Sequence, residues 1–184
     1  GALALRSFEP LFVRGATTTL VLAAVVALAV PETRPAVAST ALGGSLLTPF
    51  VDRRFVPFLV LNFLMVLVFF QHASSLPEDM RAKGLTPAQF GLAVATNGAL
   101  IVVLQPLVTR GVAGVSRPVL LAVAALLTGI GFGLTPLATT LVGYAATVAV
   151  WTLGEILFAP VNASLVADLS PPHLRGRYQG AFGL

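Results

Sequence analysis

Runs without Asp, Glu, Lys or Arg alternate with short charged segments along the chain. Residues 15–30 form one run, which extends back to Leu11 if Arg14 snorkels its charge toward water. Residues 55–77, 84–109 and 118–154 form three more, and 156–167 a fifth, set apart from the fourth by Glu155 alone. A helix needs about 20 apolar residues, at about 1.5 Å of rise each, to cross the hydrocarbon core of a bilayer. The fourth run is too long for one crossing. It divides at Thr135-Pro136-Leu137-Ala138-Thr139-Thr140, where proline and threonine mark a turn. The pattern therefore predicts spans at about 11–30, 56–76, 88–108, 118–136 and 139–167, with a further one starting near Gly176. Membrane β-strands are about 10 residues long and alternate in polarity. These runs are longer and do not alternate, so the expected fold is all-α, a polytopic bundle of transmembrane helices.

The connections differ in charge. Residues 31–55 hold Glu32, Arg34, Asp52, Arg53 and Arg54 among many small residues; 77–86 hold Glu78, Asp79, Arg81 and Lys83, which balance. Residues 109–117 carry Arg110 and Arg117, and 168–177 carry Asp168, His173, Arg175 and Arg177. Five alternating spans place Arg34, Arg53, Arg54, Arg110, Arg117, Arg175 and Arg177 on one side, against Arg6, Arg14, Arg81 and Lys83 on the other. The side richer in Lys and Arg is expected to be cytoplasmic. The chain opens Gly1-Ala2-Leu3 without the pattern of a signal peptide, and ends at Gly183-Leu184 as an apolar segment begins. It is expected to be a piece of a longer protein.

Composition narrows the function. Of the 184 residues 57% are hydrophobic and 10% charged, against about 25% charged in a soluble domain. That excludes a soluble globular domain and a disordered tail. The net charge of +4 is scattered between apolar blocks rather than gathered on one stripe, so no nucleic-acid partner is expected. With no cysteine and two histidines, no metal site and no cofactor are expected. No Ser-His-Asp set, HExxH or nucleotide-binding motif occurs, and the chain is not expected to be an enzyme. Gly129-Ile130-Gly131-Phe132-Gly133 lies in an apolar span with no preceding strand or nearby Lys, so it reads as a helix-packing surface rather than a phosphate loop. Arginine far outnumbers lysine, which suggests a GC-rich bacterial source and hence a plasma (inner) membrane location.

Polar groups inside the spans are costly and therefore informative. Glu155 is the one acidic or basic residue in the fourth and fifth spans. An ionised carboxylate at that depth needs a cation or hydrogen bonds to compensate it. Two readings stay open: a carboxyl group that carries a proton or meets a substrate cation, and a neutral structural residue bonded to a neighbouring helix. Trp151, Glu155 and Asn162 fall within about 40° on one helix face. Pro160, without an N–H, frees the carbonyl of Ile156 one turn upstream. A kink beside polar residues fits a cavity-lining helix, although proline is also simply tolerated in such helices. In the second span Phe58, Asn62, Met65, Phe69 and His72 form one stripe, suited either to a permissive apolar pocket or to helix packing. Asn97 and Gln105, about 80° apart, suit a shared cavity wall or interhelical hydrogen bonds.

The order of these features resembles the major facilitator superfamily (MFS) of secondary transporters, from the sixth helix to the start of the eleventh. Asp52-Arg53-Arg54-Phe55 is similar to the end of that family's central loop, and Arg110 through Arg117 to its loop between helices 8 and 9, here without the usual acidic residue. The best match is Gly154-Glu155 through Pro160, followed by Val166-Ala167-Asp168-Leu169-Ser170-Pro171-Pro172-His173-Leu174-Arg175-Gly176-Arg177-Tyr178-Gln179-Gly180. It looks like the helix 10–11 junction of drug-efflux members. Prolines stop one helix and pre-set the turn, and the glycines allow the next helix to approach closely. Asp168 is placed to pair with Arg175 or Arg177 at that face.

The resemblance implies part of a twelve-helix, two-bundle carrier. Residues 1–30 would be the last helix of the N-terminal bundle, 31–55 the central cytoplasmic linker and 56–184 part of the C-terminal bundle. It implies alternating access around a midplane site. The leading expectation is proton-coupled efflux of small amphipathic compounds by a monomeric, multi-pass protein, with the bilayer, protons and a small-molecule substrate as partners. Glu155 would be the coupling site, and Asn62, Met65, Phe69, Asn97, Gln105, Trp151 and Asn162 would line the cavity. Asp168, Arg175, Arg177, Arg110 and Arg117 would form the cytoplasmic gate. The alternatives are a sugar or organic-anion uptake carrier of the same fold, or a non-transporting membrane subunit or embedded enzyme. No Lys or Arg lies at the midplane of spans two to five, which argues against an anion carrier. About half of a carrier is expected not to transport on its own.

Overall fold

In a computed structural model, which describes residues 9–29, 31 and 45–184, the apolar runs are helices. In chain order these are α1 (Glu9–Ala29), α2 (Thr48–Val51), α3 (Phe55–Phe69), α4 (Ser75–Ala82), α5 (Pro87–Gly111), α6 (Arg117–Leu134), α7 (Leu141–Leu169) and α8 (Arg175–Phe182). Single 3₁₀ turns at Phe70–His72, Thr135–Leu137 and Pro172–Leu174 join neighbours, and no strand occurs among the described residues. Among the described residues five segments are long and apolar enough to cross a membrane: Phe12–Ala29, Phe55–Ala82, Pro87–Gly111, Arg117–Leu137 and Leu141–Leu169. Many of their large apolar side chains, such as Leu61, Val102 and Val142, are exposed, as lipid-facing positions are in a bilayer.

Contacts divide the chain into two units, Gly1–Gly43 and Gly44–Leu184. In the first, α1 is an apolar helix in which Thr17 and Thr19 return their hydroxyls to the carbonyls of Val13 and Gly15. Arg6, Arg34 and most of the linker expected over 31–55 lie outside the described residues. The linker's last part, residues 45–54, belongs to the second unit, where Pro49 of α2 is buried.

Helix boundaries follow local chemistry. Thr86 and Gln89 cap α5 reciprocally: Gln89 N–H donates to Thr86 Oγ1 at 3.3 Å and Thr86 N–H to Gln89 Oε1 at 2.8 Å. The turn expected at 135–140 is present, and Thr140 Oγ1 accepts from Gly143 N–H at 3.2 Å to start α7. One expectation needs correction. The span at 56–76 ends its α-helix at Phe69, and the connection at 77–86 is partly helical. His72 Nδ1 lies 2.5 Å from the Phe69 carbonyl and Ser74 Oγ donates to that of Phe70 at 3.1 Å, so side chains take over the last helical carbonyls. The chain then re-enters a helix as α4, which buries Leu76 and Met80 and exposes Glu78 and Arg81.

Within the second unit α7 is central, burying Tyr144, Val148, Trp151, Thr152, Ile156, Asn162 and Val166. It approaches α6 most closely at two glycines. A Cβ on Gly131 would stand 2.5 Å from the Trp151 nitrogen, and one on Gly154 would collide with Thr128 and the Ala124 carbonyl. Gly129 and Gly133 face open space, so one glycine of the 129–133 cluster makes the close approach. Apolar clusters close both ends of the unit. One joins Leu76, Met80, Ala93, Ala138, Tyr144, Val148 and Trp151; the other joins Phe55, Val166, Leu174, Tyr178 and Ala181.

Candidate functional site

Between these two clusters α3, α7 and α8 part to leave a groove of about 960 Å³. Its wall is mostly apolar, with phenylalanines from three helices, Phe63, Phe69, Phe158 and Phe182 among them, beside leucine, valine and alanine. The polar exceptions are Asn62, Asn162 and Glu155, and Glu155 is the sole charged residue lining it. Size and character are those of a small-molecule site, an apolar surface with a few placed polar groups.

Glu155 sits at the middle of α7. Asn97 of α5 donates from Nδ2 to Glu155 Oε2 at 2.6 Å and to Thr152 Oγ1 at 3.1 Å, and the Thr152 hydroxyl donates to the Val148 carbonyl at 2.6 Å. The carboxyl is therefore held from the α5 side while it lines the groove on the other. Eight residues further along α5, Gln105 Nε2 donates at 3.4 Å to the Ile156 carbonyl, the group that Pro160 leaves without its helical donor. Asn97 and Gln105 thus serve α7 directly and do not line the groove.

Of the other expected cavity residues, Asn62, Phe69 and Asn162 line the groove, whereas Met65 and Trp151 do not. Trp151 is buried at the α6 interface, stacked on Phe132 with centroids 5.4 Å apart and edge-on to Phe69 at 6.2 Å. Close approach at Gly131 turns it toward α6 and away from the groove. Asn62 and Asn162 meet across α3 and α7, with Asn162 Nδ2 donating to Asn62 Oδ1 at 2.5 Å. A smaller cavity of about 190 Å³ beside Pro160 is lined by neither Glu155 nor an asparagine.

At the arginine-bearing end the expected pairing of Asp168 is corrected. Its carboxylate pairs with Arg117 at the start of α6, not with Arg175 or Arg177. Asp168 closes α7 while Arg117 opens α6, so antiparallel packing brings these two ends together. Both side chains are about half exposed. Arg110 and Arg175 are exposed, and Arg177 is half-buried with one guanidinium nitrogen buried and without an acceptor.

Two polar clusters escaped sequence reasoning. Asp52 Oδ1 accepts from the N–H groups of Arg54 and Phe55 at 2.8 and 3.3 Å, capping α3, while its Oδ2 accepts the Tyr178 hydroxyl of α8 at 2.7 Å. That hydroxyl and the Arg54 amide hold the Asp52 carboxyl below its ordinary range. Burial, then the bond to Asp52, pushes the Tyr178 phenol up to about 12. At the opposite end Tyr144 Oη donates to Asp79 Oδ2 at 2.5 Å. Lys83 Nζ donates to Asp79 at 2.9 Å and to the carbonyls of Pro136 and Ala138 at 2.8 and 3.0 Å, so one ammonium ties the end of α4 to the turn between α6 and α7. The bond to Asp79 raises the Lys83 pKa. An Asp three residues before the start of an apolar run is a recognisable cap signal; the partnership with Tyr178, 126 residues away, has no local signal.

Comparison with known proteins agrees with this architecture. Residues 1–184 match the family model of the Major Facilitator Superfamily. Over 95 residues the chain is 26% identical to a Na(+), Li(+), K(+)/H(+) antiporter of Planococcus maritimus, a match that covers 52% of this chain and 22% of that protein. The chain thus spans well under two thirds of the length of that relative. Apolar helices long enough to cross a bilayer and a match over the full chain lead to one assignment: this is a multi-pass membrane protein, and the chain belongs to the Major Facilitator Superfamily.

Proposed function

We propose that this chain supplies the C-terminal half of the substrate pathway in a proton-coupled exporter of small amphipathic compounds, with Glu155 as the proton site. In this reading residues 1–30 are the last helix of an N-terminal bundle, 31–55 the central linker and 56–184 part of the C-terminal bundle of a twelve-helix carrier. The observation that carries it is the position of Glu155: mid-helix, on a phenylalanine-rich groove, with its carboxylate held by Asn97. A carboxyl group that is solvated only from a cavity exchanges its proton with whichever side the cavity faces, as alternating access requires. The relative from Planococcus maritimus, named as exchanging cations for protons, supports antiport. Arg53, Arg54, Arg110, Arg117, Arg175 and Arg177 at one end, against Arg81 and Lys83 at the other, support a cytoplasmic position for the former in a plasma membrane.

The test is transport by the full-length protein in proteoliposomes under an imposed pH gradient. Wild type moves an amphipathic ammonium compound faster as the gradient steepens. Glu155→Gln, inserted to the same level, loses that acceleration. Undiminished gradient dependence in Glu155→Gln overturns the role of Glu155.

A further inference from the structure

Asn62 and Asn162 come from helices 100 residues apart and share one hydrogen bond. Both are buried, at 7% and 4% exposed, in a wall made chiefly of apolar side chains. Carboxamides in such a place are unfavourable unless their donors and acceptors are used. Here they are incompletely used: Asn162 Oδ1 is buried and receives no donor. Plain helix packing would be served by an apolar side chain, so an orphaned acceptor on a residue that lines a ligand-sized groove calls for a donor from elsewhere.

Glu155 does not fill the same need. It lies two helical turns, about 10 Å, along α7 from Asn162, and Asn97 already holds its carboxylate. The groove therefore has two polar stations, an amide pair and a carboxyl. Its lining includes no Lys or Arg to attract an anion. An alkali ion must exchange its hydration shell for a ring of oxygens, and two carboxamides set among aromatic rings do not make one. A primary or secondary ammonium on an apolar body fits better. Its N–H groups reach the amide oxygens, and its body and charge lie against the phenylalanine faces.

We infer that the Asn162 amide oxygen, oriented by Asn62, is the docking point for an N–H donor of an amphipathic ammonium substrate, separate from the proton station at Glu155. The inference rests on the groove being the substrate pathway proposed above. Turning the terminal torsion of Asn162, a broad one, brings the oxygen to the ligand.

The test is calorimetric binding to the full-length protein in detergent. The probes are 4-phenylbutylammonium and its N-trimethyl analogue, equal in charge and apolar body but without donors. Wild type binds the first about tenfold tighter, as expected for one charge-assisted hydrogen bond. Asn162→Leu brings the two Kd values together, Asn62→Leu narrows the gap, and Glu155→Gln leaves the ratio as in wild type. Asn162→Asp, isosteric and a stronger acceptor, widens the ratio and decides the matter if Asn162→Leu does not fold. If both probes bind but either Asn162 variant keeps the wild-type ratio, this inference alone falls. If wild type binds neither probe, the substrate groove falls with it.

Discussion

Gln105 Nε2 points at the Ile156 carbonyl oxygen from 3.4 Å, across the α5–α7 interface. Pro160 has no N–H to give that carbonyl, so the side chain of one helix repairs a defect in the backbone of another. The two residues should be energetically coupled. Gln105→Leu is expected to lower stability by about 1 kcal/mol, the scale of interhelical hydrogen bonds in membranes. Pro160→Ala restores the helical donor, so Gln105→Leu should cost little in its background. Unfolding of the four proteins in detergent gives the cycle, and strictly additive losses would contradict the coupling.

The glycines of α6 give a contrast within one short segment. Gly131→Ala places a methyl group against the Trp151 backbone, and should cost about 1–3 kcal/mol by forcing α6 and α7 apart. Gly129→Ala and Gly133→Ala add a methyl group in open space and should be neutral or slightly stabilising through helix propensity. Thermal unfolding of the three variants in detergent ranks them. Equal effects at all three positions would refute the close approach.

What the sequence disclosed and what it hid divide along physical lines. Span positions were legible because hydropathy is a property of local composition, and the Pro160 defect because a missing N–H names the orphaned carbonyl by arithmetic. Gln105 was legible as polar and inward-facing, yet its partner was not, since nothing local sets which carbonyl a side chain meets 51 residues away. Trp151 shares a helix face with Glu155 and Asn162 but turns into the core, because Gly131 admits it there. Asp168 was expected to meet Arg175 or Arg177, its neighbours in sequence, and helix packing brings it Arg117 instead, 51 residues away. The α3 break at Phe70–His72 was hidden within a run free of Asp, Glu, Lys and Arg, where the side chains of His72 and Ser74 bond to backbone carbonyls and outweigh periodicity.

The Asp52–Tyr178 bond makes an alkaline signature. The Tyr178 pKa is raised from 10.0 to about 12 in the folded protein. Its contribution to stability is therefore fully present below pH 10 and is lost as pH rises through about 12, because the unfolded chain gives up its proton first. Tyr178→Phe should lose less stability than wild type between these limits in denaturant titrations. Parallel curves would show that the phenol is unshifted. Asp52, lowered below its ordinary value, works in the opposite direction: its contribution is present above that value and lost as pH falls through the depressed one.

The Arg117–Asp168 pair is half exposed on both sides, so solvent screens it. Arg117→Ala should cost less than about 1 kcal/mol of stability, and less still at high salt. Exchanging the charges, Arg117→Asp with Asp168→Arg, should restore most of the loss. Unfolding at low and high ionic strength measures both effects, and a larger, salt-independent loss would mean that Arg117 acts through something other than this pair.

The proton station is tested most directly by the protons that substrate displaces. Purified full-length protein in weakly buffered detergent, with a pH-indicator dye, is mixed with a saturating amphipathic ammonium compound. If Glu155 carries the coupled proton, wild type releases protons in proportion to ligand bound, and Glu155→Gln binds the ligand and releases none. Release from Glu155→Gln equal to that of wild type would contradict the account.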